Sequence, residues 1–272
     1  MKTIINILLL VALIPFFGIT QNSFKEQQLK NNRVKKAYQN KWPGIEAELK
    51  TKNINANDLE VFIRVFKHEK ELELWVKNKT SQQFTLFKKI NICASSGDLG
   101  PKRKQGDMQV PEGIYDVPFF NPSSSYYLAL KVGYPNKSDR ILATGKDPGG
   151  DIMIHGNCVT IGCIPLQDGP VEDVYLLCVE AKNKNNPIRV EIFPCRFTKE
   201  NERLLSSYSA EHNKFWNEIK PAFTYFEANK KPARYSIDKA GNYLFSNWAL
   251  SSEKLSIIII LISSMLTFVL WE

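Results

Sequence analysis

Ile154-His155-Gly156-Asn157-Cys158-Val159-Thr160-Ile161-Gly162-Cys163-Ile164-Pro165-Leu166 holds two of the chain's five cysteines and one of its three histidines. Three chemistries compete for it. As a metal site, His155, Cys158 and Cys163 offer three ligands with no fourth nearby, and the paired CxxC knuckles of structural zinc are missing. As a disulfide, Cys158 and Cys163 close a short loop, but the two glycines then go unexplained. As a nucleophile with its base, the stretch uses more of its residues. A free thiol at neutral pH is only a few per cent thiolate, and a histidine placed to take its proton activates it. His155 ends an apolar run that reads as a buried strand, Gly156 lets the chain turn, and the following residues suffice to loop back. Gly162 permits backbone angles that aim successive N–H groups at one spot, as an acyl-transfer oxyanion requires. Cys163 follows this glycine whereas Cys158 follows Asn157, so the chemistry points to Cys163 as nucleophile and His155 as base.

The rest of the chain supplies the setting. With 272 residues, 43% of them apolar and 24% charged, it can hold one large domain with appendages. A net charge of +8 suits an anionic partner such as a membrane surface or cell-wall polymer. Nucleic acid is not expected: the longest basic cluster is Lys102-Arg103-Lys104 and no zinc-finger spacing occurs. Lys2 followed by the apolar run Ile4 to Phe17 and by Gly18-Ile19-Thr20 reads as a signal peptide over 1–20, hence an exported protein. Near the other end, Leu255 to Trp271 is uncharged and is read as a membrane-spanning or membrane-docked helix, about 25 Å long. An odd cysteine count leaves at least one thiol free within a single chain.

Periodicity divides the chain further. Residues 21–58 read as a helical extension of one or two short helices with Val34, Ala37, Tyr38, Ile45 and Leu49 as apolar points. From 59 to 197 the pattern is β-rich: a hairpin from Leu59–Phe66 and Leu72–Val76, then strands at Phe84–Cys93, Ile114–Val117, Tyr126–Val132, Asp151–His155 and Ile188–Pro194. Residues 95–118 form a Gly/Pro-dense loop. A helix begins at Gly169-Pro170 with Val174, Leu177, Cys178 and Ala181 on one face, so Cys178 is a small core residue. Residues 198–248 are a second helical extension. Cys93 and Cys195 are read as core residues or as partners of each other, and Cys158 as a packed loop cysteine or a reversible partner of Cys163.

The pattern H-G-x(4)-T-x-G-C from His155 through Thr160 and Gly162 to Cys163 resembles the L,D-transpeptidase catalytic domain of YkuD type. Its compressed spacing and extra Cys158 resemble the YafK-like branch. Ser96–Lys102, Gly106-Asp107, Pro111–Tyr115, Gly133–Asn136 with Asp139-Arg140, and Phe215–Pro221 agree, so the resemblance covers roughly residues 30–235. It implies an α+β fold, a mixed β-sandwich braced by N- and C-terminal helices. It also implies a periplasmic cysteine acyltransferase without cofactor or metal, acting on diaminopimelate-containing peptidoglycan stem peptides. A protein acceptor or wall-attached peptide, and membrane association through the C-terminal segment, are further implied partners. Carried over, Cys163 is the nucleophile, His155 the base oriented by a backbone carbonyl near Gly156, and the N–H groups of Gly162 and Cys163 form the oxyanion hole. Tyr134, Arg140, Lys102 and Thr160 are the expected substrate-binding residues. One departure stands out: the family's arginine two places after the nucleophile is here Pro165, leaving its task to Arg140 or Lys102. The alternatives are a hydrolase (carboxypeptidase or amidase) using the same residues, and a catalytically silent wall-binding protein. Intact His155, Gly162 and Cys163 argue against the last.

Overall fold

Alternating residues of one strand pair decide where the layers lie. The computed structural model describes residues 23–246; the stretches read as signal peptide (1–20) and membrane helix (255–271) lie outside the described residues. β1 (Leu59–Phe66) and β2 (Glu71–Asn78) form the expected hairpin. Val61, Ile63 and Val65 face one core together with Leu72, Leu74 and Val76, while Phe62, Phe66 and Trp75 face another. Both faces of this hairpin are therefore covered, which is why β1 carries apolar residues on both of its faces. β3 (Thr85–Asn91), β4 (Gly113–Asp116) and β9 (Arg189–Phe193) complete a mixed sheet of order β3-β2-β1-β9-β4, with β1 and β9 parallel.

A second sheet runs β5 (Phe119–Ser124), β6 (Tyr127–Lys131), β7 (Met153–His155) and β8 (Ile164–Pro165). Helix α4 (Asp168–Asn183) packs against β1 of the first sheet and against β6 and β7 of the second. The α+β architecture expected from the sequence is thus observed, with a buried helix filling the space between sheets. α4 is enclosed well beyond the one apolar face that its periodicity suggests. Two of its acidic residues are buried against the N-terminal helices α1 (Phe24–Leu29) and α2 (Asn32–Thr51) and against β3: Asp173 meets Lys41 at 3.5 Å and Lys88 of β3 at 2.5 Å, and Glu180 meets Lys25 at 2.5 Å and the Tyr38 hydroxyl at 2.9 Å.

The outer face of the first sheet is closed by α6 (Ala210–Asn229), which follows α5 (Lys199–Ser206). Phe226 packs on Phe62 and Trp75, and the fully buried Arg64 guanidinium lies among the rings of Phe66, Phe193, Phe223 and Phe226. A short helix, α3 (Lys137–Ile141), is tied to the terminal hairpin of β10 (Tyr235–Ile237) and β11 (Tyr243–Phe245) through Ser138 Oγ, which donates to Gly241 O at 2.6 Å.

One buried carboxylate joins three of these parts. Glu112, with no exposed surface, meets Lys67 Nζ at 2.9 Å and accepts from Gly100 N at 2.8 Å and from Trp216 Nε1 at 2.6 Å. It connects the β1–β2 turn, the 95–112 loop and α6. Removing one charge of such a pair strands the other in a dry site. Glu112→Gln is therefore expected to lower unfolding free energy by about 3–5 kcal/mol, read by urea denaturation; an unchanged midpoint contradicts this role.

Candidate active site

β7 and β8 are parallel, with Ile154 opposite Ile164 and His155 opposite Pro165. Strand side chains alternate between faces, so Cys163, two residues before Pro165, shares a face with Pro165 and with His155. Continued one residue back, the register sets Cys163, just ahead of β8, diagonal to His155 on β7. Cys163 is partly exposed, and its Sγ lies 3.7 Å from Asp151 O.

His155 is 2% exposed, and its Nδ1 lies 2.5 Å from the carbonyl oxygen of Gly156. A carbonyl only accepts, so Nδ1 carries the proton and Nε2 keeps its lone pair. The histidine is held by a backbone carbonyl rather than by an acid. Burial lowers its pKa, opposed by the Gly156 hydrogen bond. Burial also pushes the Cys163 thiol up, with Asp151 adding to the rise and the Met153 N–H and Lys102 opposing it. Both shifts favour a neutral thiol–imidazole pair over a preformed thiolate–imidazolium pair.

The turn 156–163 is tightly specified. A Cβ on Gly156 would lie 2.6 Å from Asp168 Oδ1, the atom that accepts from Asn157 N at 2.9 Å. Gly162 has φ +135°, and a Cβ there would lie 3.1 Å from Gln109 O. The Thr160 hydroxyl donates to Cys163 O at 2.8 Å and accepts from Gly162 N at 3.1 Å. This alters two expectations. Gly162 N–H is already engaged, leaving Cys163 N–H as the member of the expected oxyanion pair that no such clasp occupies. Thr160 shapes the turn with the hydroxyl that was expected to meet substrate.

The cysteines pair differently from either expectation. Cys93 and Cys158 form a disulfide, while Cys163, Cys178 and Cys195 are free. Cys195 is buried without joining Cys93, and Cys158, being exposed and bonded to Cys93, is neither a packed loop thiol nor a partner of Cys163. The reason is a shared neighbour: Cys93 N donates to Pro165 O at 3.1 Å, so the end of β3 runs beside β8 and reaches the turn. Among the described residues no group of three or more His, Cys, Asp or Glu side chains is arranged to hold a metal ion.

Cys163 opens on a cleft of about 260 Å³. One wall is the β1–β2 turn with Lys67, His68 and Lys70; another is the 95–99 loop; Leu204 and Tyr208 close it from the α5–α6 region. None of Tyr134, Arg140, Lys102 and Thr160 lines it. Tyr134 is buried with its hydroxyl donating to Pro148 O at 2.8 Å; Lys102 is buried against Asp107 at 2.5 Å; Arg140 lies exposed on α3, the helix tied to the β10–β11 hairpin. Lysine and histidine in a hairpin turn carry no chemical signature by themselves. In the sequence the residues between Phe66 and Leu72 read only as the connection of a hairpin, and Tyr208 lies within the stretch read as a helical extension.

Peptide mapping under non-reducing conditions is expected to link Cys93 to Cys158 and to leave Cys163 alkylatable; a Cys158–Cys163 link contradicts the pairing. Loss of the bridge in Cys93→Ser/Cys158→Ser is expected to cost about 2–4 kcal/mol of stability. Because the thiol is raised, iodoacetamide alkylation of Cys163 should rise with pH through a midpoint above the ordinary thiol value of about 8.5. A plateau of fast alkylation at pH 5–7 would show a preformed ion pair instead.

Comparisons with known proteins agree with the motif. No family model matches the chain. It is 38% identical over 189 residues to the protein named "Putative L,D-transpeptidase YafK" of Escherichia coli (strain K12), covering 68% of this chain and 74% of that protein. The same figures hold for the protein of that name from Escherichia coli O157:H7. Among solved structures, the helical cell shape determining protein Pgp2 from Campylobacter jejuni is similar at 20% identity and TM-score 0.42, over 66% of this chain and 73% of that one. Bd1075 from Bdellovibrio bacteriovorus is similar at 17% identity and TM-score 0.34, over 61% and 62%. By its match to YafK at this identity and coverage, the chain belongs to the YafK-like branch of the L,D-transpeptidase family.

Proposed function

We propose that the protein is a peptidoglycan L,D-transpeptidase that works through an acyl-enzyme on Cys163. The observation that carries this is the β7–β8 register, which sets a partly exposed thiol at the mouth of a cleft and on the same face as a buried, backbone-held imidazole. Cys163 Sγ attacks the carbonyl on the L-centre of meso-diaminopimelate in a donor stem, and His155 Nε2 takes the thiol proton. The tetrahedral oxyanion accepts from Cys163 N–H. His155 then passes the proton to the departing amine of the D-residue as the C–N bond breaks, leaving a thioester. An amine from another stem, or from a protein or attached peptide, attacks the thioester and yields a new amide and a free thiol.

A neutral ground-state pair suits this sequence, because the proton moves only as the C–S bond forms. The cation Lys70 on the cleft wall suits an anionic stem. The chain is read as exported to the periplasm, and the Cys93–Cys158 bridge supports an oxidising compartment.

Incubating the purified protein with muropeptides and weighing the products tests the reaction. Cross-linked dimers are expected; monomers or released attached peptides alone would assign the same residues to hydrolysis. Cys163→Ala is expected to abolish product, and His155→Ala to slow its formation by about 10²–10⁴-fold. Activity surviving in Cys163→Ala contradicts the assignment.

A further inference from the structure

His155 is almost fully buried, and a side chain that is itself exposed lies on its ring. Tyr126, 45% exposed, lays its ring on the imidazole with centroids 4.8 Å apart and planes tilted by 34°. Tyr126 sits at the tip of the β5–β6 hairpin, where Tyr126 N donates to the buried Ser124 Oγ at 3.0 Å and Tyr127 takes φ +70°. The same tip rests on the residue that anchors the histidine: a Cβ on Gly156 would lie 3.1 Å from Tyr126 O and 3.0 Å from Tyr127 Cβ.

The hairpin tip is clamped from outside the strand core. Arg33, in the first turn of α2, donates through Nη1 to Ser124 O at 2.6 Å and to Tyr127 O at 2.8 Å, bracketing Tyr126 on both sides. Asn31, the N-cap of α2, donates to Ser123 Oγ at 2.8 Å. Two carbonyls bound by one guanidinium fix the hairpin's orientation more firmly than packing of an exposed turn would.

We propose that Tyr126 is a positioning residue for the base His155, holding its ring in plane and shielding it from bulk water, and that Arg33 at the start of α2 keeps Tyr126 in place. The proposal rests on the reading of His155 as the base. It extends the reacting machinery to a hairpin tip and an N-terminal helix that touch no reacting atom. With one face of the ring covered and Nδ1 bound to Gly156 O, Nε2 is the nitrogen left to serve Cys163. The titratable groups on the elements flanking His155 are Cys163 from the turn before β8, Asp168 at the start of α4, Tyr126 and Tyr127 on the hairpin, Lys131 on β6 and Asp151 ahead of β7. Tyr126 is the one among them shown in contact with the imidazole face, so its removal acts through solvent access.

The test is an NMR titration of the three histidines, His68, His155 and His212, assigned with His155→Ala, alongside the pH profile of acylation by a tetrapeptide stem. Water reaching the ring relieves its desolvation. Tyr126→Ala should therefore raise the His155 pKa by about half a unit or more and move the acid limb of acylation upward by the same amount. Acylation should also slow several-fold with little change in KM. Tyr126→Phe, which keeps the ring, should restore the wild-type titration. Arg33→Ala should shift His155 in the same direction by less, with thermal unfolding of all variants as the control for folding. An unchanged His155 titration in Tyr126→Ala, with the fold intact, overturns the proposal. If the wild-type protein acylates no stem peptide, the proposed function fails, while the NMR titration still decides the role of Tyr126.

Discussion

β7 and β8 are parallel neighbours joined by residues 156–163 alone, where a parallel crossover ordinarily takes about a dozen residues or more. So short a connection leaves almost no freedom, and each residue type in it answers to that shortage. Gly156 passes beneath the β5–β6 hairpin where a side chain has no room, Asn157 takes φ +63°, and Gly162 takes φ +135° beside the Gln109 carbonyl. Thr160 clasps the turn from within through two hydrogen bonds, and the Cys93–Cys158 bridge ties it to the end of β3. What the constraint produces is a thiol and an imidazole on one face of adjacent strands, each with little room to move. The proposed chemistry would depend on that rigidity, since a small displacement of His155 would forfeit much of the advantage of holding reactants together.

The environment of this pair is made by distant parts of the chain. Glu112 gathers Lys67, Gly100 and Trp216, and so sets the β1–β2 turn, the 95–112 loop and α6 around the cleft. Tyr208 from the α5–α6 region closes the cleft and donates to Asp98 at 3.1 Å, while Arg33 from the opposite end of the chain holds the hairpin over His155. The flanking helices are thus walls and clamps of the site as well as braces of the core. Burial is the common electrostatic cause, raising the thiol and lowering the imidazole together, so the pair waits uncharged.

Much of this is legible in the sequence, for physical reasons. β1, β2 and β9 are rich in β-branched, aromatic and leucine residues, and the helices carry 3.6-residue periodicity, so their existence follows from burial. The backbone-carbonyl support of His155, expected from the family resemblance, is present as the Gly156 contact. Other features left no such trace. β5 contains Asn121-Pro122 and is not among the strands expected from the sequence, but it is an edge strand, where a missing N–H is tolerated. The pairing of Cys93 with Cys158 bridges 65 positions and depends on β3 ending beside Pro165, which no local spacing encodes. Tyr134 and Lys102 are drawn into buried hydrogen bonds by a loop whose path is tertiary, and the engaged Gly162 N–H is visible only once Thr160 is placed. Pro165, where the family has arginine, is a buried strand residue whose carbonyl organises Cys93, and the cations on the cleft wall come instead from the β1–β2 turn.

The central claim is that Cys163, and no other thiol, becomes acylated by a peptidoglycan stem. Intact-mass measurement after rapid mixing with a purified tetrapeptide stem, followed by peptide mapping, addresses it directly. The expected result is a transient adduct equal to the stem lacking its terminal D-residue, carried on the peptide containing Cys163 and absent from His155→Ala at the same mixing time. An adduct on another residue, or full turnover with no covalent species at any time, would contradict it.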